Sequence, residues 1–303
     1  MAKPVSIGDS ENYFSDGFQR DMARWNHRRL MPCSPDEAVD NREWLLREAA
    51  MMVALREGIG GGTPAVPTDV TGFLARFANL IETGPGQNDP LFDWIADHAS
   101  FAEMRWFFEQ EAAGEAGFDD LVAMTQVKMP VCAKLELARN YWDEMGRGNM
   151  KGMHGPMLGL LADAIDATPT IDTTVWESLM LANAMTAMAT RREYAWHSIG
   201  ALGVIELTAP GRAALVAKGL RRLGVRGKHR HYFDLHAVLD IKHSEEWNRE
   251  VIASLIADDP SRARFIAEGA LIRLACGARC YRRYRAELWE GRAEQREPIA
   301  RAA

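Results

Sequence analysis

The chain has 303 residues, of which 47% are hydrophobic and 26% are charged, so it can bury a large core as one domain or as one domain with an extension. Its net charge of −6 lacks the positive excess that binding to nucleic-acid phosphates requires, which excludes nucleic acid as an expected partner. The first residues are polar and mixed in charge, and no segment has eighteen uninterrupted apolar residues. We therefore expect a cytoplasmic protein without a membrane span.

Helical periodicity dominates the chain and alternating β-branched patterns are nearly absent, which predicts an all-α fold. The first predicted helix begins at Ser34 and ends near Arg56, before a glycine-rich linker. Short connections separate the later helices, as in a helical bundle. These helices are predicted at about 68–82, 89–114, 131–146, 151–167, 173–191, 193–208, 210–223, 229–257 and 260–292.

This pattern divides the chain into three parts. Residues 1–85 form an N-terminal helical extension, residues 86–292 form the bundle, and the charged residues 293–303 form a flexible tail. The four cysteines are too few and too irregularly spaced for a disulfide framework. Cys276 and Cys280 share a helix face, but they lack the further soft ligands that a zinc site needs, so we expect both to be small buried side chains.

The most informative motif lies in the helix predicted at 229–257. His236, Asp240 and His243 are spaced i, i+4 and i+7, so on a helix their side chains form one stripe over two turns and could converge on a single metal centre. Apolar residues between them give the helix a surface that can pack against neighbouring helices. This favours an orientation in which the stripe faces the interior of the bundle. The alternative is a solvated polar face, the usual arrangement of polar residues at helical spacing.

Further metal-ligand residue types occur upstream. Glu144 and His154 flank three glycines between two predicted helices, and a break there would let both side chains converge. Glu206 ends an otherwise apolar helical stretch, where a lone carboxylate is costly unless it is paired, neutralised or metal-bound.

An earlier helix supplies a further carboxylate. Glu111 follows an aromatic run, and Glu109 and Glu115 are alternatives nearby. Four carboxylates would neutralise two ferrous ions, and three neutral imidazoles would complete a donor set that suits non-haem iron better than zinc or calcium. The carboxylates in this count are Glu111, Glu144, Glu206 and Asp240, and the imidazoles are those of His154, His236 and His243.

The order Glu144, His154, Glu206 and then His236-x-x-x-Asp240-x-x-His243, after an acidic residue on an earlier helix, resembles the haem-oxygenase-like diiron oxidases and oxygenases over roughly residues 90–285. The resemblance implies a haem-oxygenase-like bundle that holds two iron ions and uses O2 as a co-substrate. It implies N-oxygenation, desaturation or carbon–carbon cleavage of an amino-acid-like or fatty-acid-like substrate in a biosynthetic pathway. The metal ligands that it implies are Glu111, Glu144, His154, Glu206, His236, Asp240 and His243.

On this interpretation the partners are a small-molecule substrate and an external electron donor, and a homodimer is the commonest assembly. Two other functions also fit a helical bundle. One is a metal-independent enzyme, like the family's cofactor-free oxidase and thiaminase relatives, whose turnover would survive chelation. The other is a non-enzymatic protein that binds a ligand, or a single haem through one histidine, and a Soret band would identify the haem.

Overall fold

The computed structural model describes residues 12–38, 40–60, 66–115 and 117–290. All regular structure in these ranges is helical and they contain no β-strand, so the predicted all-α fold is confirmed. In chain order the α-helices are α1 (Asp16–Leu30), α2 (Arg42–Gly58), α3 (Val70–Ala78), α4 (Leu80–Thr83), α5 (Pro90–Asp97), α6 (Phe101–Glu115), α7 (Phe118–Thr125), α8 (Val131–Glu144), α9 (His154–Ala164), α10 (Trp176–Thr190), α11 (Ala195–Arg222), α12 (Gly227–Glu246), α13 (Ala253–Asp258) and α14 (Ala263–Arg285).

Local capping explains why the helix predicted at 89–114 is two helices. Asp89 caps α5 by accepting a hydrogen bond from the Leu91 amide at 3.0 Å. A capping box then begins α6: the Ser100 amide donates to a carboxylate oxygen of Glu103 at 2.7 Å, and the Glu103 amide donates to the Ser100 hydroxyl at 3.3 Å. Sequence analysis missed this box, and it also missed helices α1 and α7.

Helix α11 runs through Pro210, although the sequence predicts two helices on either side of this residue. A proline inside a helix removes a backbone hydrogen bond and costs about 3 kcal/mol or more. Packing offsets this cost, because α11 has extensive contacts with both α12 and α14. The contact with α14 is close at Gly200, where a Cβ atom would lie 1.8 Å from the carbonyl oxygen of Ile266.

The helix predicted at 229–257 contains a π-helical segment, Trp247–Ile252, between α12 and α13. The Trp247 indole donates to the backbone carbonyl of Ile199 at 3.2 Å, which ties this segment to α11. π-Helical turns are rare and occur frequently beside functional sites.

The N-terminal helices pack on the bundle. On α1 the Asn26 amide donates to the Asn183 side chain on α10 at 2.9 Å, and Arg29 pairs with the buried Glu48 of α2 at 2.6 Å. One hydrophobic cluster extends along the chain from Phe18 to Leu288. The predicted flexible tail lies outside the described residues, as do residues 61–64 of the glycine-rich linker predicted at 58–64.

By length and composition alone, Arg192–Arg222 could cross a membrane. However, 56% of its most apolar window is buried within the fold, as in the core helix of a soluble protein.

Candidate metal centre

The structure brings six of the seven predicted ligands together in two groups. In each group, one potential ligand atom per residue lies within 4.8 Å of those of the other two. Ligand atoms about 2.0–2.2 Å from a common ion lie no more than about 4.4 Å apart, so small movements would let each group hold an ion. The first group is Glu144 on α8, His154 on α9 and His236 on α12, and the second is Glu206 on α11 with Asp240 and His243 on α12.

The stripe on α12 therefore serves two groups. Asp240 and His243 belong to the second group, whereas His236 faces the first. The three side chains of the stripe thus divide between two groups, whose other members lie on α8, α9 and α11.

The glycine-interrupted segment after α8 positions the first group. Gly146 adopts a φ of +60°, and a Cβ there would lie 2.3 Å from the carbonyl carbon of Gly152. Only glycine allows the chain to fold back so closely. As a result, Glu144 at the end of α8 and His154 at the start of α9 approach to 2.6 Å between Oε2 and Nδ1.

These two atoms are close, but their angles are not those of a hydrogen bond. The buried Nδ1 atom of His154 has no hydrogen-bond partner among the described residues. Buried polar atoms are rarely left in this state. Two ligand atoms that face a common ion have this arrangement, so the Glu144 and His154 pair fits a metal.

An asparagine on α8 holds the second group in place. The Asn140 amide nitrogen lies 2.8 Å from Glu206 Oε1 and 3.4 Å from His243 Nδ1. The other carboxylate oxygen of Glu206 lies 3.5 Å from the same His243 nitrogen. All members of this group are buried.

Two histidines of the site are fixed through the ring nitrogen that faces away from their group. His236 Nδ1 lies 2.7 Å from the backbone carbonyl of Tyr232, and His243 Nε2 lies 3.1 Å from a carboxylate oxygen of Asp143. Arg147 in turn binds Asp143 at 2.6 Å. Such outer partners fix the tautomer and ring orientation of metal-binding histidines. They direct His236 Nε2 and His243 Nδ1 toward the two groups.

The surroundings shift the pKa values of His236 and His243 in opposite directions. Burial, together with the charge of the neighbouring histidine in the first group, lowers the pKa of His236 to about 3, so its imidazole is neutral. Burial would also lower the pKa of His243, but its hydrogen bonds to Glu206 and Asp143 and the negative charges of Glu206 and Glu144 raise it to about 9. The second group thus stabilises a positive charge, as a cation site must.

A cavity that opens to solvent borders both groups. Carboxylates of both groups, Glu144 and Glu206 among them, form part of its wall. Phenylalanine side chains form much of the remainder, and two arginines, Arg212 and Arg273, also face it. An apolar cavity with a few polar groups is the usual form of a small-molecule site.

The predicted ligand on the earlier helix lies in the cavity wall, outside both groups. Glu111 borders the cavity and also an adjoining small pocket that includes Tyr284. Of the two alternatives, Glu109 accepts a hydrogen bond from the Thr168 amide at 3.1 Å, and the side chain of Glu115 lies outside the described residues. Glu111 therefore stays a prediction.

Sequence analysis missed three residues that support the site. Asn140 precedes Glu144 by four positions on α8, and this spacing alone would have placed both on one face. Asp143 and Arg212 had no such signal, because their contacts depend on how α8 and α11 pack.

The comparisons with known proteins agree with this fold. A family profile described as "iron-containing redox enzyme" matches residues 105–278, more than half of the chain. The solved structure of a CADD-like protein of unknown function from Nostoc punctiforme has a TM-score of 0.53 at 15% identity, covering 80% of this chain and 99% of that chain. At this identity the likeness shows the fold alone. No curated protein matches the chain.

The matched segment includes all seven predicted ligands. The match confirms the resemblance to haem-oxygenase-like iron enzymes and supports an oxidative function with iron. The chain thus belongs to the family of iron-containing redox enzymes.

Proposed function

We propose that the chain is a non-haem diiron oxidoreductase, which binds one iron ion in each group and uses O2 to oxidise a small organic substrate in the adjoining cavity. The observation that carries the proposal is the convergence of two buried sets of carboxylate and imidazole donors beside one cavity. Carboxylate and imidazole donors suit non-haem iron, and carboxylate-bridged iron pairs form between facing helices of bundles.

The bound iron would supply the redox chemistry with O2. The protein's side chains would bind the iron ions and orient the substrate. Glu144, His154 and His236 hold one ion, and the second group holds the other, while Asp143 and the Tyr232 carbonyl keep the imidazoles in position. The phenylalanines of the wall exclude water and pack against the apolar part of the substrate.

The reactions that we include are N-oxygenation, desaturation and carbon–carbon cleavage of an amino-acid-like or fatty-acid-like substrate. Where the substrate supplies fewer electrons than the reduction of O2 to water requires, an external electron donor must supply the rest.

The test is an anaerobic titration of the metal-free protein with ferrous iron, in which bound iron is counted and the visible spectrum is recorded after exposure to O2. We expect two ions per chain in the wild type. His236→Ala should lose the ion of the first group and Asp240→Ala that of the second. His231→Ala is the matched control, because His231 is an exposed histidine on the same helix.

Unchanged iron content in both variants, or the same loss in the His231 control, would refute these ligand assignments. Iron uptake without any spectral response to O2 would leave a metal-binding protein and refute the oxidase function. Substrate turnover that survives complete chelation would favour a metal-independent enzyme instead.

A further inference from the structure

Arg212 is a cationic side chain in the wall of the cavity that borders both ligand groups. It is half-buried and lies on α11, six residues beyond Glu206. Because an α-helix rises 1.5 Å per residue, the two backbone positions lie about 9 Å apart along the helix axis. Arg212 and Glu206 therefore face one cavity from positions nearly two turns apart.

The guanidinium of Arg212 has only neutral partners. It donates to the Thr208 hydroxyl at 3.2 Å and to the side-chain oxygen of Gln87 at 3.4 Å. Its central carbon lies 5.8 Å and 5.9 Å from the ring centroids of Phe92 and Tyr281. In the part of the chain that the structure describes, no carboxylate oxygen lies within 4.0 Å of it.

Two other arginines in the interior differ in this respect. Arg29 and Arg191 both pair with the fully buried Glu48, at 2.6 Å and 3.4 Å. Arginine presents a planar set of donors that matches a carboxylate in two parallel hydrogen bonds. Arg212 is held in place by neutral groups and aromatic rings, so its remaining donors are available to an anion in the cavity.

The formal charge of the cavity wall gives a second reason to expect an anion. Four carboxylates and two guanidiniums border the cavity, which leaves two negative charges in the metal-free protein. Two ferrous ions would change this to two positive charges. A cavity that is partly lined by apolar side chains and carries a net positive charge attracts an anionic ligand. The charged residues in this count are Glu111, Glu144, Glu206, Asp240, Arg212 and Arg273.

We propose that Arg212 binds the acid group of an organic anion whose apolar body extends along the cavity toward the two ligand groups. The acid group and the atom that reacts then lie several bonds apart, and the acid group does not lie on the metal ions. The position of the reacting atom near the ligand groups rests on the proposed function, whereas the anion site requires only Arg212 and the cavity.

The experiment compares octanoate with 1-octanol, which has the same chain length and no charge, by calorimetric titration. Both are titrated into metal-free protein and, without oxygen, into protein loaded with ferrous iron. In the loaded wild type, octanoate should bind at least about tenfold more tightly than octanol, because a charge-assisted pair is added. The preference should be smaller in the metal-free protein, whose cavity has the opposite net charge.

Arg212→Gln should remove the preference for octanoate and leave octanol binding unchanged. Arg212→Lys should keep part of it, because the charge remains but the planar donor set is lost. Arg264→Gln is the matched control, since Arg264 is another arginine over an aromatic ring, that of Phe265, and it lies outside the cavity wall. Circular dichroism of each variant checks that it is folded.

Three results would overturn the inference: no preference for octanoate in the wild type, no binding of either ligand, or equal octanoate binding in the wild type and Arg212→Gln. Iron counting separates this inference from the proposed function. If iron is absent but octanoate binding still depends on Arg212, the proposed function fails alone. If two ions bind and octanoate is not preferred, the anion site fails alone.

Discussion

Asp143 shows how a residue outside the ligand groups controls a ligand. Its carboxylate lies 3.1 Å from the Nε2 atom of His243, and Arg147 holds it at 2.6 Å. Burial alone would raise the pKa of Asp143, but its hydrogen bonds to Arg147 and His243 hold the pKa below its usual value. The carboxylate is therefore charged at neutral pH and keeps the His243 ring turned toward the second group.

Asp143→Ala should lower the affinity of the second group for ferrous iron by about 10–100-fold, the usual effect of losing such an outer partner. The ion of the first group should stay bound, because His236 takes its orientation from the Tyr232 carbonyl. Iron titration followed by counting measures both ions. Asp163→Ala, an exposed aspartate on α9, is the control. Unchanged affinity in Asp143→Ala would show that the aspartate does not support the ligand.

The four cysteines divide into two environments. Cys33 and Cys132 are exposed, whereas Cys276 and Cys280 are buried in α14, as the sequence predicts. Burial raises the pKa of Cys276 to about 11 and raises that of Cys280 further. The thiolate is the reactive form, so burial makes both Cys276 and Cys280 unreactive at pH 8.

At pH 8, iodoacetamide should therefore modify two thiols per native chain and all four after denaturation, as counted by mass spectrometry of the intact protein. Peptide mapping should locate the two rapid modifications at Cys33 and Cys132. Because the pKa of Cys276 is raised, its modification should become faster only as the pH rises toward 11. Rapid modification of Cys276 or Cys280 in the native protein would contradict the burial of α14.

Close contact between α11 and α14 explains the glycines in these helices. A Cβ at Gly200 would lie 1.8 Å from the carbonyl oxygen of Ile266, and a Cβ at Gly269 would lie 1.9 Å from that of His197. Backbone atoms on both sides leave no flexible side chain to move away. Any larger residue must push the two helices apart.

Gly200→Ala should lower the free energy of unfolding by about 1–3 kcal/mol, the usual effect of overpacking a core. Gly211 is the matched control on the same helix, since a Cβ there meets nothing within 4 Å. Gly211→Ala should raise the free energy of unfolding by up to about 1 kcal/mol through helix propensity. Urea unfolding of the metal-free proteins measures both changes. Equal effects of the two substitutions would mean that the helices are not in close contact at Gly200.

Helices α11 and α12 show what the sequence could predict. The ligand stripe of His236, Asp240 and His243 depends only on helical spacing, so it was predictable without a fold. The continuity of α11 through Pro210 was not, because packing against α12 and α14 outweighs a local preference to break. The division of the stripe between two groups was equally hidden, since it depends on where Glu206 and the first group approach α12.

The whole fold is held around a polar centre. Buried carboxylates and histidines occupy the space between α8, α9, α11 and α12, where a soluble bundle usually places apolar side chains. Burial raises the pKa of Glu144, although His154 acts in the opposite direction, which shows that its charged form is destabilised in the metal-free protein. A cation bound beside Glu144 would stabilise this charged form.

Ferrous iron should consequently stabilise the whole protein. A ligand that binds only the folded state stabilises it by about 2.7 kcal/mol when its concentration is 100 times Kd, which corresponds to several degrees in Tm for a chain of this size. Anaerobic thermal unfolding with and without iron measures the shift, and a chelator should reverse it. The double variant His236→Ala/Asp240→Ala lacks a ligand in each group, so its Tm should not respond to iron. An equal shift in this variant would mean that iron binds elsewhere on the chain.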